Sequence, residues 1–290
     1  MTMSLTERLV QIRASQPERI AAALATRPRG VLPSGGGRLM IIACDHPARG
    51  ALGAGRDDTA MASREELLSR CVEALGRPGV NGFLGTADMI EDLALLGALD
   101  GKLVYGSMNR GGLMGASFEM DDRFTCYDAR GIVSAGLDGG KMLLRINYSD
   151  PGTANTLEAC AHAVDDLAER GVLAMVEPFV SEWRDGRIVN DLSPAAVMAS
   201  MAIASGLGRT SAHTWLKLPV VADMERVLQA ATLPVLLLGG AVPDRPDETL
   251  EAWRTALTLP TVRGLVIGRS LLFPPSGDVA AAVDETVGLL

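Results

Sequence analysis

The stretch Thr214-Trp215-Leu216-Lys217-Leu218-Pro219 is a short apolar run that ends at a proline and carries one lysine near its C-terminal end. An apolar run of this length predicts a buried β-strand, and the proline prevents its continuation as a central strand. The lysine is unusual for this chain, because only three of its 27 lysine and arginine residues are lysines. Arginine stays protonated, whereas a desolvated lysine can lose its proton and attack a carbonyl carbon. The stretch therefore predicts a buried strand that carries a reactive amine.

Seven further apolar runs have the same form and alternate with segments of helical periodicity. Runs without polar alternation indicate strands buried on both faces, and intervening helices indicate parallel pairing. The predicted strands are Leu39–Cys44, Gly82–Leu84, Leu103–Tyr105, Lys141–Ile146, Leu173–Val176, Thr214–Leu218, Val235–Leu238 and Gly264–Ile267. The plainest predicted helices are Arg64–Leu75, Ala87–Leu96, Thr153–Arg170, Pro194–Ser205, Asp223–Gln229, Asp247–Leu257 and Asp278–Val287.

Eight such units in about 250 residues are typical of an α/β fold of the (β/α)8 (TIM) barrel type, which we predict for residues 37–290. The alternative is a doubly wound sheet, which usually has a glycine-rich phosphate loop after its first strand. Here Cys44-Asp45-His46-Pro47 occupies that place. Residues 1–36 are predicted to form an N-terminal helical extension and connector. The segment Ser181–Asp191 is predicted to be an inserted hairpin that turns at Asp185-Gly186.

Composition and charge exclude several classes of function. The formal net charge of −8 and the pI of about 5.0 argue against a general binder of nucleic acid or of anionic membranes. No apolar run approaches the roughly 20 residues that span a bilayer, and the N-terminus lacks the apolar region of a secretory signal. The four cysteines form no CxxC pair and give no zinc signature. We expect a cytoplasmic homo-oligomer with a small-molecule ligand, no cofactor and no metal.

Catalytic groups of TIM barrels come from the C-terminal ends of the strands and the loops beyond them. Lys217 is the candidate nucleophile, and burial together with the like charge of Lys141 would favour its neutral form. Glu177 is the leading candidate for proton transfer, with Asp45 second. The same ends offer Ser107, Asn109, Arg110 and Arg145. We expect Asn109 and Arg145 to contact the substrate, although an arginine in this position also fits a structural ion pair.

Two glycine-containing loops follow the last two predicted strands. In barrels these loops commonly hold a phosphate through backbone N–H groups. Gly239-Gly240 and Gly268 allow close approach of the backbone, and Arg269 offers two parallel donors to an anion. The alternative for a Gly-Gly pair is an ordinary tight turn. We predict a phosphate site at these loops.

These residues resemble the class I aldolases of the deoxyribose-phosphate and tagatose-bisphosphate aldolase superfamily, most of all the tagatose-bisphosphate and sulfofructose-phosphate branch. The intervals of 36 residues from Lys141 to Glu177 and 40 from there to Lys217 agree with that branch. The resemblance implies a metal-independent aldolase in which Lys217 forms the Schiff base, Glu177 transfers protons, Asp45 binds substrate hydroxyls and Arg269 binds phosphate.

The chain also resembles an actinobacterial barrel family associated with inositol breakdown. That resemblance implies cleavage of 2-deoxy-5-keto-gluconate 6-phosphate into dihydroxyacetone phosphate and malonate semialdehyde. The sequence departs from the aldolase branch at residues 46–50 and in the inserted hairpin. The resemblance is therefore weakest for the identity of the substrate.

Other functions fit the same residues. Lys141 and Glu177 could form an acid/base pair of a lyase or isomerase with no covalent step. The barrel could also bind sugar phosphates without catalysis. A metal-dependent aldolase needs histidines clustered at strand ends, and the three histidines of this chain are scattered.

Overall fold

In a computed structural model, which describes residues 3–240, 242 and 245–290, the chain forms a closed barrel of parallel strands surrounded by helices. Eight strands pair in the ring order β1-β2-β3-β4-β5-β7-β8-β9, and β9 pairs with β1 to close it. The predicted TIM barrel is confirmed. The strands are β1 Leu39–Cys44, β2 Gly82–Gly85, β3 Leu103–Ser107, β4 Gly139–Ile146, β5 Leu173–Arg184, β6 Arg187–Asn190, β7 Thr214–Leu218, β8 Val235–Leu238 and β9 Val262–Ile267.

The helices follow the predicted pattern within a few residues. They are α1 Leu5–Ser15, α2 Glu18–Thr26, α3 Arg64–Leu75, α4 Ala87–Leu95, α5 Ala129–Ser134, α6 Gly152–Glu169, α7 Pro194–Ser205, α8 Met224–Val227, α9 Pro246–Leu257, α10 Arg269–Leu272 and α11 Val279–Val287. Among the described residues, no helix is both long and apolar enough to cross a bilayer.

The strands separate two apolar cores, which explains why their sequences lack polar alternation. Successive side chains of a strand point to opposite faces. In β1, Leu39 and Ile41 belong to the core inside the barrel, whereas Met40 and Ile42 belong to the core between the sheet and the helices. Each core excludes water from one face of the sheet. A strand buried on both faces must therefore be apolar throughout, except where a polar side chain reaches the mouth of the barrel.

The N-terminal helices pack outside the barrel. Leu9 and Ile12 of α1 are buried and join the outer core, and Arg13 binds Asp92 of α4 (Nη2 to Oδ1, 2.8 Å). Helix α1 begins with a capping box at Ser4, whose hydroxyl accepts the Glu7 N–H. The first two residues of the predicted extension lie outside the described residues.

The predicted insertion forms the expected hairpin. Strand β5 continues beyond the barrel and pairs antiparallel with β6, with Ser181 opposite Asn190. The turn residues Asp185 and Gly186 both have positive φ, 50° and 74°, as two-residue hairpin turns with Asp-Gly require. Because β5 extends past the C-terminal end of the barrel, the hairpin stands beside its mouth.

Strands β9 and β1 approach so closely at Gly264 that no side chain fits at this position. Its φ is 141°, and a Cβ there would lie 2.0 Å from the carbonyl oxygen of Leu39. We expect Gly264→Ala to lower the free energy of unfolding by about 3 kcal/mol or more, because both strain and a backbone clash oppose closure. Chemical denaturation measures the change.

The matched control is Gly171→Ala, where φ is also positive, 66°, but the Cβ would meet open space. Strain alone should cost about 1–2 kcal/mol there. Equal losses in the two variants would contradict the role of the β9–β1 contact.

Candidate active site

A cavity of about 790 Å³ opens at the C-terminal ends of the barrel strands. This volume is in the range of pockets that enclose small-molecule ligands. The side chains that reach it come from strand ends and the loops that follow, as expected for a TIM barrel. Its predicted residues are Asp45, Lys141, Arg145, Glu177, Lys217, Gly239, Gly240, Gly268 and Arg269.

A row of oppositely charged groups crosses the floor of the cavity. Lys217 Nζ donates to Glu177 Oε1 at 2.7 Å, and Lys141 Nζ lies 2.5 Å from Glu177 Oε2. Lys141 also donates to Asp45 Oδ2 at 3.2 Å. All four residues are less than 10% exposed. The structure therefore brings together the four side chains predicted to be catalytic.

The strand register explains why these side chains meet. Lys141 lies opposite Met175 in the β4–β5 ladder, and Met175 packs in the inner core two residues before Glu177. In β7, Trp215 packs against the same inner core two residues before Lys217. Residues two apart share a face of a strand, so Glu177 and Lys217 point into the barrel.

The charges in the row shift the pKa values of its members. Burial opposes ionisation of Glu177, but the two adjacent lysines outweigh it and hold the pKa of that carboxyl below its usual range. Burial lowers the pKa of Lys141 to about 8, with Arg110 adding to the effect and the carboxylates of Asp45 and Glu177 opposing it. Glu177 is therefore an ionised acceptor, and Lys141 is an amine that can exchange a proton near neutral pH.

Asp45 is held from its other side by groups of β3 and the loop after it. Ser107 Oγ donates to Asp45 Oδ2 at 3.1 Å, and Arg110 Nη1 lies 3.2 Å from the same oxygen. Burial opposes ionisation of Asp45, whereas Arg110 and Lys141 favour it and keep the pKa of this carboxyl well below its usual range. Asp45 is an anion that can accept hydrogen bonds from substrate hydroxyls.

The two glycine loops lie side by side at the rim of the cavity. Arg269 Nη2 donates to the carbonyl oxygen of Gly240 at 3.4 Å, whereas the Arg269 Nε is buried and has no partner among the described residues. Packing also requires a glycine at position 268, because a Cβ there would lie 2.4 Å from the carbonyl oxygen of Ala43. The arrangement leaves one buried donor of Arg269 for an anion.

Two predicted substrate contacts are bound by other groups of the protein. Arg145 donates to Asp122 (Nη2 to Oδ1, 2.6 Å) and to Glu119, so its guanidinium holds the loop after β3. Asn109 is fully buried, and its amide donates to Leu143 O at 2.6 Å and accepts from Leu143 N at 2.7 Å. Position at a strand end did not reveal that the protein supplies partners for both side chains.

Sequence reasoning missed two residues of the cavity wall that follow β1. His46 has a buried Nδ1 3.8 Å from Asp45 Oδ1, and burial lowers its pKa to about 3, so it is neutral. Arg49 lies three residues further on, in a short 3-10 turn. The available signal was the departure of residues 46–50 from the aldolase branch.

The hairpin and the residues just after it supply one apolar part of the wall. Ile188 and Leu192 line the cavity together with Asn190. The described residues include no group of three or more histidine, cysteine, aspartate or glutamate side chains placed to hold a metal ion.

The chain matches the model of the Cgl0159-like family over residues 37–287. A comparison with curated proteins finds no match. Among solved structures, the chain is similar to Cgl0159 from Corynebacterium glutamicum, with 56% sequence identity, a TM-score of 0.96, and coverage of 98% of this chain and 96% of that one.

Two more distant structures are aldolases. One is an archaeal fructose-1,6-bisphosphate aldolase whose catalytic lysine is covalently bound to the carbinolamine intermediate of the substrate (17% identity, TM-score 0.64, coverage 93% and 97%). The other is a fructose-bisphosphate aldolase from Slackia heliotrinireducens (15%, 0.64, coverage 95% and 91%). At these identities the two aldolase structures show only that the fold is shared. The family model, in contrast, matches most of the chain, and the chain therefore belongs to the Cgl0159-like family.

Proposed function

We propose that the chain is a class I aldolase that cleaves or forms a C–C bond of a phosphorylated ketose or keto acid through a Schiff base on Lys217. The observation that carries the proposal is the buried contact of Lys217 with Glu177, whose second oxygen contacts Lys141. An amine beside a carboxylate can pass its proton to a neighbour and attack a carbonyl carbon. The archaeal aldolase of the same fold supports this chemistry by its covalent lysine intermediate.

Schiff-base formation needs two proton transfers, and Glu177 is placed for both. The Lys217 ammonium gives one proton to the carboxylate, 2.7 Å away, and the free amine adds to the substrate ketone. The resulting carbinolamine hydroxyl takes up a proton and leaves as water, which produces a protonated imine. Lys141, with its pKa lowered to about 8 by burial, can return a proton to Glu177.

Cleavage then uses the imine as the electron acceptor. A base removes the proton of the hydroxyl on the β-carbon, an aldehyde forms there, and the electron pair of the broken C–C bond moves into the imine to give an enamine. Glu177 is the leading base and Asp45 the second. Protonation of the enamine carbon gives an imine again. Hydrolysis of that imine consumes one water molecule, releases the second product and restores the Lys217 amine.

The phosphate of the substrate would bind at Arg269 and the adjacent glycine loops. Its support is the buried Nε of Arg269 that has no partner in the described part of the chain. A fixed phosphate orients the ketone toward Lys217 and so lowers the barrier to reaction, although the phosphate itself takes no part in bond breaking. The product we expect on this side of the bond is dihydroxyacetone phosphate.

Candidate substrates are 2-deoxy-5-keto-gluconate 6-phosphate, a ketose bisphosphate and sulfofructose phosphate. The first follows from the resemblance to the family associated with inositol breakdown, and the others follow from the aldolase branch. A coupled assay for dihydroxyacetone phosphate over this panel identifies the substrate.

A second function is favoured by the proximity of Lys141 to Glu177 and by the lowered pKa of Lys141. A lyase or isomerase could use them as an acid/base pair with no covalent intermediate. Chemical trapping separates the two functions.

Borohydride should trap an adduct on Lys217. When the protein is incubated with dihydroxyacetone phosphate and borohydride, we expect irreversible inactivation and the mass of one reduced adduct on the peptide that contains Lys217. Lys217→Ala should gain no adduct, whereas Lys102→Ala should be labelled like the wild type, because Lys102 Nζ binds the Val80 carbonyl away from the cavity. An adduct on Lys141, or none at all, would contradict the proposal.

Glu177→Gln should reduce kcat for the cleaved substrate by about 100-fold or more, because the amide cannot accept a proton. The substitution keeps the size of the side chain, so KM should change much less. The control is Glu182→Gln, on the exposed hairpin. Steady-state kinetics measure kcat and KM for both variants. An unchanged kcat in Glu177→Gln would contradict the role of Glu177 as the base and favour Asp45.

EDTA should leave the activity unchanged, since an imine supplies the electron acceptor that a metal ion otherwise provides. Assays before and after dialysis against EDTA, with and without added Zn²⁺, measure this. Loss of activity that Zn²⁺ restores would point to a metal-dependent aldolase.

A further inference from the structure

Arg49 has a guanidinium that faces the cavity without a hydrogen-bond partner. No described residue accepts a hydrogen bond from its side chain, and the nearest carboxylate oxygen, Oε1 of Glu119, is 3.8 Å from Nη1. That nitrogen is shielded from water. Burial, together with the like charges of Arg145 and Arg110, lowers the pKa of Arg49 to about 10. The protein thus keeps a cation in the wall that its own carboxylates do not fully compensate.

Arg110 lines the same cavity and has a donor to spare. Its Nε donates to the Asn109 carbonyl oxygen at 2.7 Å, and its Nη1 lies 3.2 Å from Asp45 Oδ2. Its Nη2 is buried and has no partner in the described part of the chain. A buried donor without an acceptor is costly, and most such groups in folded proteins are paired. The two guanidinium nitrogens are donors that an oxyanion bound in this cavity would accept from.

The contacts of Arg49 direct its side chain toward the β4 side of the cavity, although the residue itself follows β1, the neighbour of β9 in the ring. Glu119, the carboxylate nearest to Arg49, is bound by Arg145 at the end of β4 (Nη1 to Oε1, 3.3 Å). Strand β4 is four places from β9 in the eight-stranded ring, and Arg269 directly follows β9. The charged row runs from Lys217 to Arg110, so Arg110 stands at the end of the row opposite the reactive amine. A ligand with its phosphate at Arg269 and a second anion at Arg110 and Arg49 would therefore lie along this row, with its carbons beside Lys217.

The charges around the cavity limit how much negative charge the second anionic group of the ligand can carry. Among the described residues, seven cations and five carboxylates line the cavity or pair with its lining, an excess of two positive charges in a chain of net charge −8. The cations are Arg49, Arg110, Lys141, Arg145, Lys217, Arg245 and Arg269, and the carboxylates are Asp45, Glu119, Asp122, Glu177 and Glu248.

A phosphate carries a charge of about −1.5 to −2 at pH 7, so phosphate plus carboxylate comes closer to this excess than two phosphates do. The two spare nitrogens also match the two oxygens of a carboxylate.

We propose that Arg49 and Arg110 bind a carboxylate at the end of the substrate opposite the phosphate, so that the substrate is a phosphorylated keto acid. This assignment rests on the proposed function in one respect, that Arg269 holds the phosphate. Within the aldolase proposal it excludes ketose bisphosphates as the preferred substrates.

The test uses three open-chain ligands of equal carbon number that lack a ketone and cannot form an imine. They are 6-phosphogluconate, glucitol 6-phosphate, in which an alcohol replaces the carboxylate, and glucitol 1,6-bisphosphate. Calorimetric titration of the full chain should show that 6-phosphogluconate binds about 10-fold or more tightly than glucitol 6-phosphate, as expected for a charged hydrogen-bonded pair. The bisphosphate should bind no more tightly than 6-phosphogluconate.

Arg49→Gln should remove the preference for the carboxylate and leave the affinity for glucitol 6-phosphate unchanged. The control Arg130→Gln, at an exposed side chain of α5, should keep the preference. Should Arg49→Gln not fold, the comparison of ligands on the wild type alone decides.

Equal affinities for 6-phosphogluconate and glucitol 6-phosphate, tighter binding of the bisphosphate, or no binding of 6-phosphogluconate would each overturn the inference. Because no ligand forms an imine, the result is independent of the trapping experiment on Lys217. A preference for the carboxylate without a trapped adduct would refute the aldolase chemistry and leave this binding site standing.

Discussion

The carboxylate of Glu177, held between the amines of Lys217 and Lys141, is the interaction on which the rest of the cavity depends. Each of these groups is almost entirely removed from water, and the cost of burying an ion is several kcal/mol even after relaxation. Alternation of charge offsets that cost, because the row continues through Asp45 to Arg110. Among the described residues, loss of Glu177 would leave Lys217 buried without a counter-ion, whereas loss of either lysine would leave Glu177 with a single cation. The same feature that makes the ions tolerable also keeps a proton acceptor beside an amine.

Barrel closure makes this row possible. Strands β4, β5 and β7 are neighbours in the ring, so their inward side chains lie next to one another. Asp45 follows β1, three places from β4, and its contact with Lys141 crosses the interior. An open sheet would keep the first and the fourth strand apart. The apolar layer below, with Leu39, Tyr105 and Met175, closes the floor and excludes water from the charged layer.

The charge of the cavity is opposite to that of the chain as a whole. Acidic residues outnumber lysines and arginines by 35 to 27 in the whole chain, but buried arginines and lysines lie together at the mouth of the barrel. Some of these cations are paired with carboxylates of the protein, as Arg145 is with Asp122 and Glu119. Others have nitrogens from which no described residue accepts a hydrogen bond. The cost of burying such a nitrogen is offset when a bound ligand supplies the acceptor.

Local sequence patterns predicted most of the architecture. Apolar runs, helical periodicity and the Asp-Gly turn are properties of neighbouring residues, so the eight strands, the main helices and the hairpin could be predicted. Errors at their ends are small except in β5, which ends at Arg184 in the hairpin and not at the predicted Val176. The placement of Lys217, Glu177, Lys141 and Asp45 at one mouth also followed from the sequence, because strand ends of a parallel barrel meet there.

The amino-acid sequence alone was enough to predict the barrel and the set of ionisable residues at its open end. Which of these residues face the cavity, and which partners they have, depends on the folded chain. Arg145 is bound by Asp122 and Glu119 of the loop after β3, and Asn109 by the Leu143 backbone in β4, whereas Arg49 and Arg110 have nitrogens with no acceptor among the described residues. Those partners are distant in the chain or lie in an irregular loop. Their contacts arise when the ring closes, and no local pattern encodes them.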